Sequence, residues 1–307
     1  MRNCQIELNI ESFNPAFTFN SGQVFRWKSL NDNYEDWLGV VEGNVIRIKN
    51  RDVLLLGQAT NSSDFGELVP RYFSIADNLA EILSSFPQDD LFLKSSISEF
   101  PGLRLLTQDP WECLISFVCS INCNIPSIKL KLENLSKMFG EKIHTGMDEK
   151  CYSFPSPRAL SRAEKKDLLS CKLGFRWKYV QFIAKQVQIG KLDLDRVSSM
   201  NYSEAVDELI SEVSGKTFGV GPKVADCVLL YSFHLKEAFP LDVWILKYVQ
   251  EIYGENQAVG KSLSRKNYKS IGEIMRKKFG SNAGYAQLFI YEKIRRRSAI
   301  TRNTMQA

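Results

Sequence analysis

Histidine is almost missing from this chain: His144 and His234 are the only two in 307 residues. The seven cysteines (Cys4, Cys113, Cys119, Cys123, Cys151, Cys171 and Cys227) are odd in number, and no pair is spaced C-x-x-C. Zinc and dithiol redox motifs are therefore unsupported, and scattered thiols in apolar stretches read as packing groups in a reducing compartment. No apolar run approaches the ~20 residues needed to cross a bilayer. The N-terminal stretch MRNCQIELNIESFNPAF lacks the apolar segment and small-residue cleavage site of a secretory signal, so an intracellular protein is expected. Internal repeats and long low-complexity tracts are also lacking.

What is present is an ordinary globular composition, 44% hydrophobic and 24% charged, in a chain long enough for two domains. The net charge of +5 is unevenly spread. Residues 256–307 hold 12 Lys/Arg against 2 Asp/Glu, which is +10, so the remainder sums to −5. A basic C-terminal region beside a mildly acidic body suggests a polyanionic partner, although a solvated helix with a tail has the same composition.

From Gln23 the pattern alternates as strands do. QVFRW, EDWLGVV, NVIRIK and DVLLLGQ are separated by Asn31-Asp32-Asn33 and Glu42-Gly43-Asn44, spacing that suits an antiparallel meander. Short helices are expected from about Leu68. From Asp109 onward nearly every periodic stretch reads as helix, beginning with Asp109 as N-cap and Pro110 at the first helical position, and with Gly140 as a C-cap candidate further on. The fold class is α+β, mainly α. An N-terminal antiparallel-sheet domain with short helices over 1–100 precedes a helical domain over 101–307.

The chemistry concentrates around FGVGPKVADCVLLYS, residues 218–232. SEAVDELISEV, a glycine turn and PKVADCVLLYS read as helix, hairpin, helix. Gly219 and Gly221 allow backbone angles that side chains resist, and Pro222 suits a first helical turn. A helix N-terminus with free amides attracts phosphate, although a G-x-G turn often only connects helices. Lys223 sits in the first helical turn, where burial and the helix dipole favour a neutral, nucleophilic amine while phosphate favours the ammonium. Cys227 shares its helix face. Asp242, just before the apolar helix of PLDVWILKYV, is a natural N-cap; amides and dipole there should keep its carboxylate ionised and able to stabilise a developing cation.

With GVGPKVADCVLL and PLDVW in place, the chain resembles the 8-oxoguanine DNA glycosylase/AP lyase branch of the helix-hairpin-helix glycosylases. FNSGQVFRW, LLTQDPWECLISFVCSINCNI, KLGFRWKYV and AGYAQLFIY resemble further family segments, in family order from about residue 17 to 295. The resemblance implies a bifunctional enzyme of base excision repair. Lys223 would attack C1′ of the damaged nucleotide, forming a Schiff base that permits β-elimination, with Asp242 as the assisting carboxylate. Gly22 would read the N7 hydrogen of 8-oxoguanine through its carbonyl, Cys227 and Tyr291 would sandwich the flipped base, and Gln287 would bond its Watson–Crick edge. Asn122 would fill the vacated stack, Phe175 would wedge the duplex, and Arg176 would read the estranged cytosine.

Gly219, Val220 and Gly221 would grip the DNA backbone, with a structural monovalent or calcium cation on the hairpin carbonyls. No catalytic metal or cofactor is implied, and because no cysteine follows Cys227 the iron–sulfur loop of the endonuclease III branch is ruled out. The implied partner is duplex DNA containing 8-oxoguanine, met by a monomer and not at a membrane. Three residues depart from the pattern. Ser127 stands where an arginine reads the opposite cytosine, implying a looser opposite-base preference. Trp244 replaces a histidine near phosphate, and Tyr291 replaces a phenylalanine. A glycosylase for alkylated bases would lack Lys223, and a non-catalytic DNA-binding module would need neither Asp242 nor the base-pocket residues.

Overall fold

The computed structural model describes residues 5–7, 12–49, 52–214, 219–253 and 263–304. Cys4, the hairpin residues 215–218 and the tail end 305–307 lie outside the described residues. The six described cysteines are free thiols, all buried except the half-buried Cys123.

Strand Gln5–Glu7 (β1) is followed by helix Pro15–Asn20 (α1), whose cap Asn14 accepts the Phe17 amide at 3.0 Å. The meander then runs through Trp27–Ser29 (β2), Asp36–Val41 (β3), Asn44–Lys49 (β4) and Asp52–Gln58 (β5). All pairs are antiparallel in the order β1-β5-β4-β3-β2, and Val41 meets Asn44 across a two-residue turn. One strand was not anticipated, and one expectation needs correction. β1, too short to announce itself, closes the sheet beside β5. QVFRW becomes a strand only at Trp27, because the buried Gln23 side chain is committed elsewhere. Its Nε2 donates to the Arg104 carbonyl at 2.8 Å and its Oε1 accepts the Leu106 amide at 2.9 Å.

Helices Phe65–Tyr72 (α2), Leu79–Ser84 (α3) and Leu91–Glu99 (α4) come next, capped by Asp64, Asn78 and Asp90. α2 sends Phe65, Leu68, Val69 and Tyr72 into one face of the sheet against Phe19, Trp27, Trp37 and Ile46. Trp27 stacks on Phe19 at 4.1 Å and donates to the Tyr72 hydroxyl at 2.8 Å. The other face is covered at Leu38 and Val45 by a two-residue ladder, Lys142–Ile143 (β6) with Cys151–Tyr152 (β7). This ladder lies where only helices were expected. Burial of Ile143 and Cys151 against the sheet favours it, rather than local propensity.

The helical layer comprises Pro110–Cys119 (α5), Ile125–Phe139 (α6), Pro157–Arg162 (α7), Lys165–Ser170 (α8), Trp177–Gln188 (α9), Leu194–Val197 (α10), Tyr202–Ser214 (α11), Pro222–Tyr231 (α12), Val243–Tyr253 (α13), Arg265–Phe279 (α14) and Ala283–Thr304 (α15). Short 3-10 turns at Gly174–Arg176 and Gly280–Asn282 precede α9 and α15. α5 starts as its sequence dictates, with Asp109 accepting the Glu112 amide at 2.7 Å and Pro110 at the first position. From Cys113 to Cys119 every residue is buried, which makes α5 a central helix, packed on α6, α9 and α12. Leu79, Ile82, Leu93 and Phe100 join this same core. The change of periodicity near residue 100 and the change of core therefore fall at different places, since α3 and α4 pack with the helices.

A polar latch ties the layers together. Asp77 accepts from His234 Nε2 and Lys236 Nζ, each at 2.9 Å, and from the Tyr285 hydroxyl at 2.7 Å. Burial works to raise the Asp77 pKa, but the hydrogen bonds from His234, Lys236 and Tyr285 outweigh it and hold the carboxyl well below its ordinary range.

Candidate active site

The turn into α12 uses its two glycines differently. Gly219 has φ 81°, and a Cβ there would stand 2.9 Å from Tyr179 Cγ. Gly221 has φ −95° and ψ 179°, extended backbone that any residue adopts, so its expected conformational role is corrected. A Cβ on Gly221 would meet nothing within 4 Å. Its value is the open space before the helix. Asn14, Asp64, Asn78, Asp90, Asp109, Asn124, Ser156, Asp193 and Ser264 each cap a helix with a side-chain oxygen, whereas Gly221 supplies none to α12. The amides of Lys223 and Val224 are left for a ligand, at the positive end of the helix dipole. The carbonyls of Gly219 and Val220 accept no hydrogen bond among the described residues.

Lys223 follows Pro222 in the first turn, half-buried as its sequence position suggested. Its Nζ lies 3.5 Å from Ser120 Oγ and 5.0 Å over the Phe117 ring. Asp242 faces the same space from the start of α13. Both the Trp244 and Ile245 amides donate to its Oδ1 at 2.9 Å, and no other described residue donates to Oδ2. Burial raises the Asp242 pKa above the ordinary carboxylate value, against the Ile245 amide, the Lys223 charge and the Trp244 amide, which pull it down. Desolvation is thus the larger effect on this carboxylate, beside the amides that the sequence suggested. Burial likewise pushes the Cys227 thiol up to about 12, leaving it neutral and fit for van der Waals contact.

These groups open on a small recess. Gly22, Lys223, Cys227, Asp242, Gln287 and Tyr291 all line it, so the six residues singled out from distant parts of the chain do meet. Gly22 has φ 86°, and a Cβ there would come within 3.3 Å of Ile125 and 3.5 Å of the Tyr291 ring. Gln287 is pinned by donating to the Pro240 carbonyl at 3.1 Å and accepting from the Tyr231 hydroxyl at 3.5 Å. Phe117, Ser120, Tyr231 and Pro240 were not anticipated. Phe117 and Tyr231, stacked at 5.5 Å, look like core aromatics in any sequence reading, and only their depth beside Lys223 reveals them.

The recess adjoins an open trench of about 2130 Å³ that passes Asn122, Tyr179, the hairpin and Arg265. Asn122 is exposed at its rim with φ 47°, and Phe175 is 50% exposed with its ring edge-on to Tyr179. Arg176 differs from its expected posture as a free reader of an opposite base. It is 7% exposed, and its guanidinium donates to the Ile121 carbonyl and, at 3.0 Å, to that of Asn122. It thus props the loop that presents Asn122. Trp244 carries Lys247 Nζ 5.2 Å over its ring, and Ser127 is half-buried in the first turn of α6. Among the described residues, no group of three or more His, Cys, Asp or Glu could hold a metal ion.

A family model described as the 8-oxoguanine DNA glycosylase N-terminal domain matches residues 5–114. A probable N-glycosylase/DNA lyase of Methanothermobacter thermautotrophicus is 34% identical over 234 residues, covering 70% of each chain. The N-glycosylase/DNA lyase of Saccharomyces cerevisiae is 28% identical over 94% of this chain and 85% of that one. Among solved structures, the 8-oxoguanine glycosylase/lyase of Clostridium acetobutylicum in complex with double-stranded DNA containing cytosine opposite 8-oxoG matches with TM-score 0.80. It is 31% identical, over 96% of this chain and 98% of that one.

Proposed function

The chain belongs to the 8-oxoguanine glycosylase/lyase family, and from that premise we infer that it excises 8-oxoguanine from duplex DNA and then cleaves the strand at the vacated sugar. The observation that carries the reading is the meeting of a first-turn lysine and an N-cap aspartate, from different helices, at one recess lined by Gly22, Cys227, Gln287 and Tyr291. The target leaves the stack, at a cost of a few kcal/mol that the recess and the Asn122 and Phe175 tips offset. Tyr291 and Cys227 hold the base faces, Gln287 its hydrogen-bonding edge, and the Gly22 carbonyl accepts the N7 hydrogen. Guanine would set a lone pair against that carbonyl, an unmade buried hydrogen bond worth about 1–3 kcal/mol.

The Lys223 amine then forms a bond to C1′ as the C1′–N9 pair departs with the base, which takes up a proton. Ionised Asp242 stabilises the positive charge that grows on the sugar. Loss of the amine protons and opening of the sugar ring give the Schiff base. Removal of a C2′ proton expels the 3′ phosphate oxygen and breaks the strand. The carbonyls of Gly219 and Val220, neutral main-chain oxygens left without donors among the described residues, would hold a monovalent or calcium cation, whose positive charge would favour binding of the DNA backbone. No chemical step passes through it. No helix among the described residues is long and apolar enough to cross a membrane, and we place the enzyme inside the cell with the genome it repairs.

Borohydride trapping on duplexes with 8-oxoguanine opposite each of the four bases tests the assignment. Wild type should give a covalent adduct and Lys223→Gln none. An adduct undiminished in Lys223→Gln would sink the mechanism. With Ser127 in place of an arginine, opposite bases other than cytosine should also be accepted, and a strict demand for cytosine would contradict that reading.

A further inference from the structure

Asp226 is a carboxylate in the wrong kind of place. It is 1% exposed, in a helix whose other buried residues, from Val224 to Tyr231, are apolar or aromatic apart from the Cys227 thiol. A carboxyl group buried there is strongly destabilising unless every lone pair that needs a partner has one. The partners are present. Tyr202 donates to Oδ1 at 2.7 Å and Tyr268 donates to Oδ2 at 2.6 Å. Each tyrosine is held in turn: Arg276 Nη1 donates to the Tyr202 hydroxyl at 2.9 Å, and the Tyr268 hydroxyl accepts the Leu241 amide at 3.1 Å.

None of these four side chains lines the base recess. The two ends that the chain joins are nevertheless the ones that matter. Asp226 lies three residues beyond Lys223 on α12, and the Leu241 amide lies one residue before Asp242, the cap of α13. We infer that Asp226 and Tyr268 are positioning residues for the excision step, holding α12 against the 241–242 peptide so that Lys223 and Asp242 open on the same recess. The inference rests on the roles assigned above to Lys223 and Asp242. A buried, fully satisfied network suits the task because it has one low-energy arrangement and resists drift. An apolar core at the same place would pack as well but would tolerate sliding. The tyrosine bonds also act against burial, which by itself raises the Asp226 carboxyl, to a net value of about 6.

Tyr268→Phe removes a single oxygen, and Asp226→Asn keeps the volume while breaking the donor–acceptor match. Both, and the double variant, are compared with wild type for single-turnover excision on an 8-oxoguanine:cytosine duplex and for affinity toward a duplex carrying an uncleavable abasic-site analogue. Each single variant should slow excision about 10-fold or more, since misplacement by a fraction of an ångström to one ångström has effects of this order. Affinity should stay within about 2-fold, and the double variant should be no slower than the worse single one, because both cut the same chain. An unslowed Tyr268→Phe, a parallel loss of affinity and rate, or slowing that multiplies in the double variant would each overturn the proposal. Should one single variant fail to fold, the other decides by the rate-to-affinity split. The wild-type arm reports on the assigned activity separately: an inactive wild type overturns both readings, an active wild type with unslowed variants only this one.

Discussion

Alanine at Gly219 and alanine at Gly221 change the same turn by the same methyl group, yet the structure assigns them opposite consequences. At Gly219 an L-residue must hold φ 81°, which costs about 1–2 kcal/mol. Its Cβ would also stand 2.9 to 3.0 Å from three atoms of Tyr179, so the ring must move, at about 1–3 kcal/mol. Together these come to about 2–5 kcal/mol of folding stability, or a fall in Tm of roughly 4–10 °C for a chain of this length. At Gly221 the backbone is already extended and the new methyl meets nothing within 4 Å. Alanine is a poorer N-cap than glycine by about 0.5–1 kcal/mol, but it also restricts the unfolded chain by about 0.4–1 kcal/mol, so stability should stay within about 1 kcal/mol of wild type. The methyl instead occupies the space through which a phosphate must approach the Lys223 and Val224 amides. Duplex affinity should fall about 10-fold, equivalent to about 1.4 kcal/mol. Thermal denaturation and fluorescence anisotropy with a duplex carrying an uncleavable abasic analogue measure the two quantities. The reasoning fails if Gly221→Ala melts as early as Gly219→Ala, or if it binds DNA as tightly as wild type.

Two pH effects follow from the buried carboxylates. On the proposed mechanism excision needs Asp242 ionised, and burial raises its pKa, so the acid limb of the single-turnover rate should sit above the ordinary carboxylate range; a limb at or below the ordinary aspartate value would refute this. Asp77 has a depressed pKa in the folded protein, so its stabilisation is complete above the unfolded value of 3.8 and is lost as pH falls below it. The Tm gap between wild type and Asp77→Asn should therefore be widest near neutral pH and should narrow below about pH 4, and a gap that does not change with pH would remove the latch from the account.

Much of this was readable in the chain because its signals are local. Asp109-Pro110 starts a helix through a side-chain cap and a fixed φ, which need no partner far away, and Lys223 and Asp242 announced themselves by sitting where helices begin. Other features depend on contacts that no local pattern carries. β6 and β7 are two residues each and form because Ile143 and Cys151 can be buried against Leu38 and Val45. Gln23 looked like the start of a strand, yet its side-chain amide bridges a carbonyl and an amide more than 80 residues away. Arg176 was legible as a cation near the wedge, but its burial beneath Asn122 depends on the fold of the 121–122 turn. Asp226 gave no signal at all, since a lone acid in an apolar helix is interpretable only once Tyr202 and Tyr268 are seen beside it.

Asp242 gives one oxygen to architecture and, on the proposed mechanism, keeps the other for reagent duty. Two amides fasten Oδ1, while Oδ2 takes no hydrogen bond from any other described residue. Asparagine would begin the helix equally well but would present an amide where the sugar needs an anion. Glutamate would keep the charge, but its extra methylene carries the carboxylate past the cap. The residue is therefore constrained atom by atom, and a swap harmless to folding can still silence the chemistry. Mutational tolerance at this position should be judged by turnover, because a stability screen would pass the very substitution that stops repair.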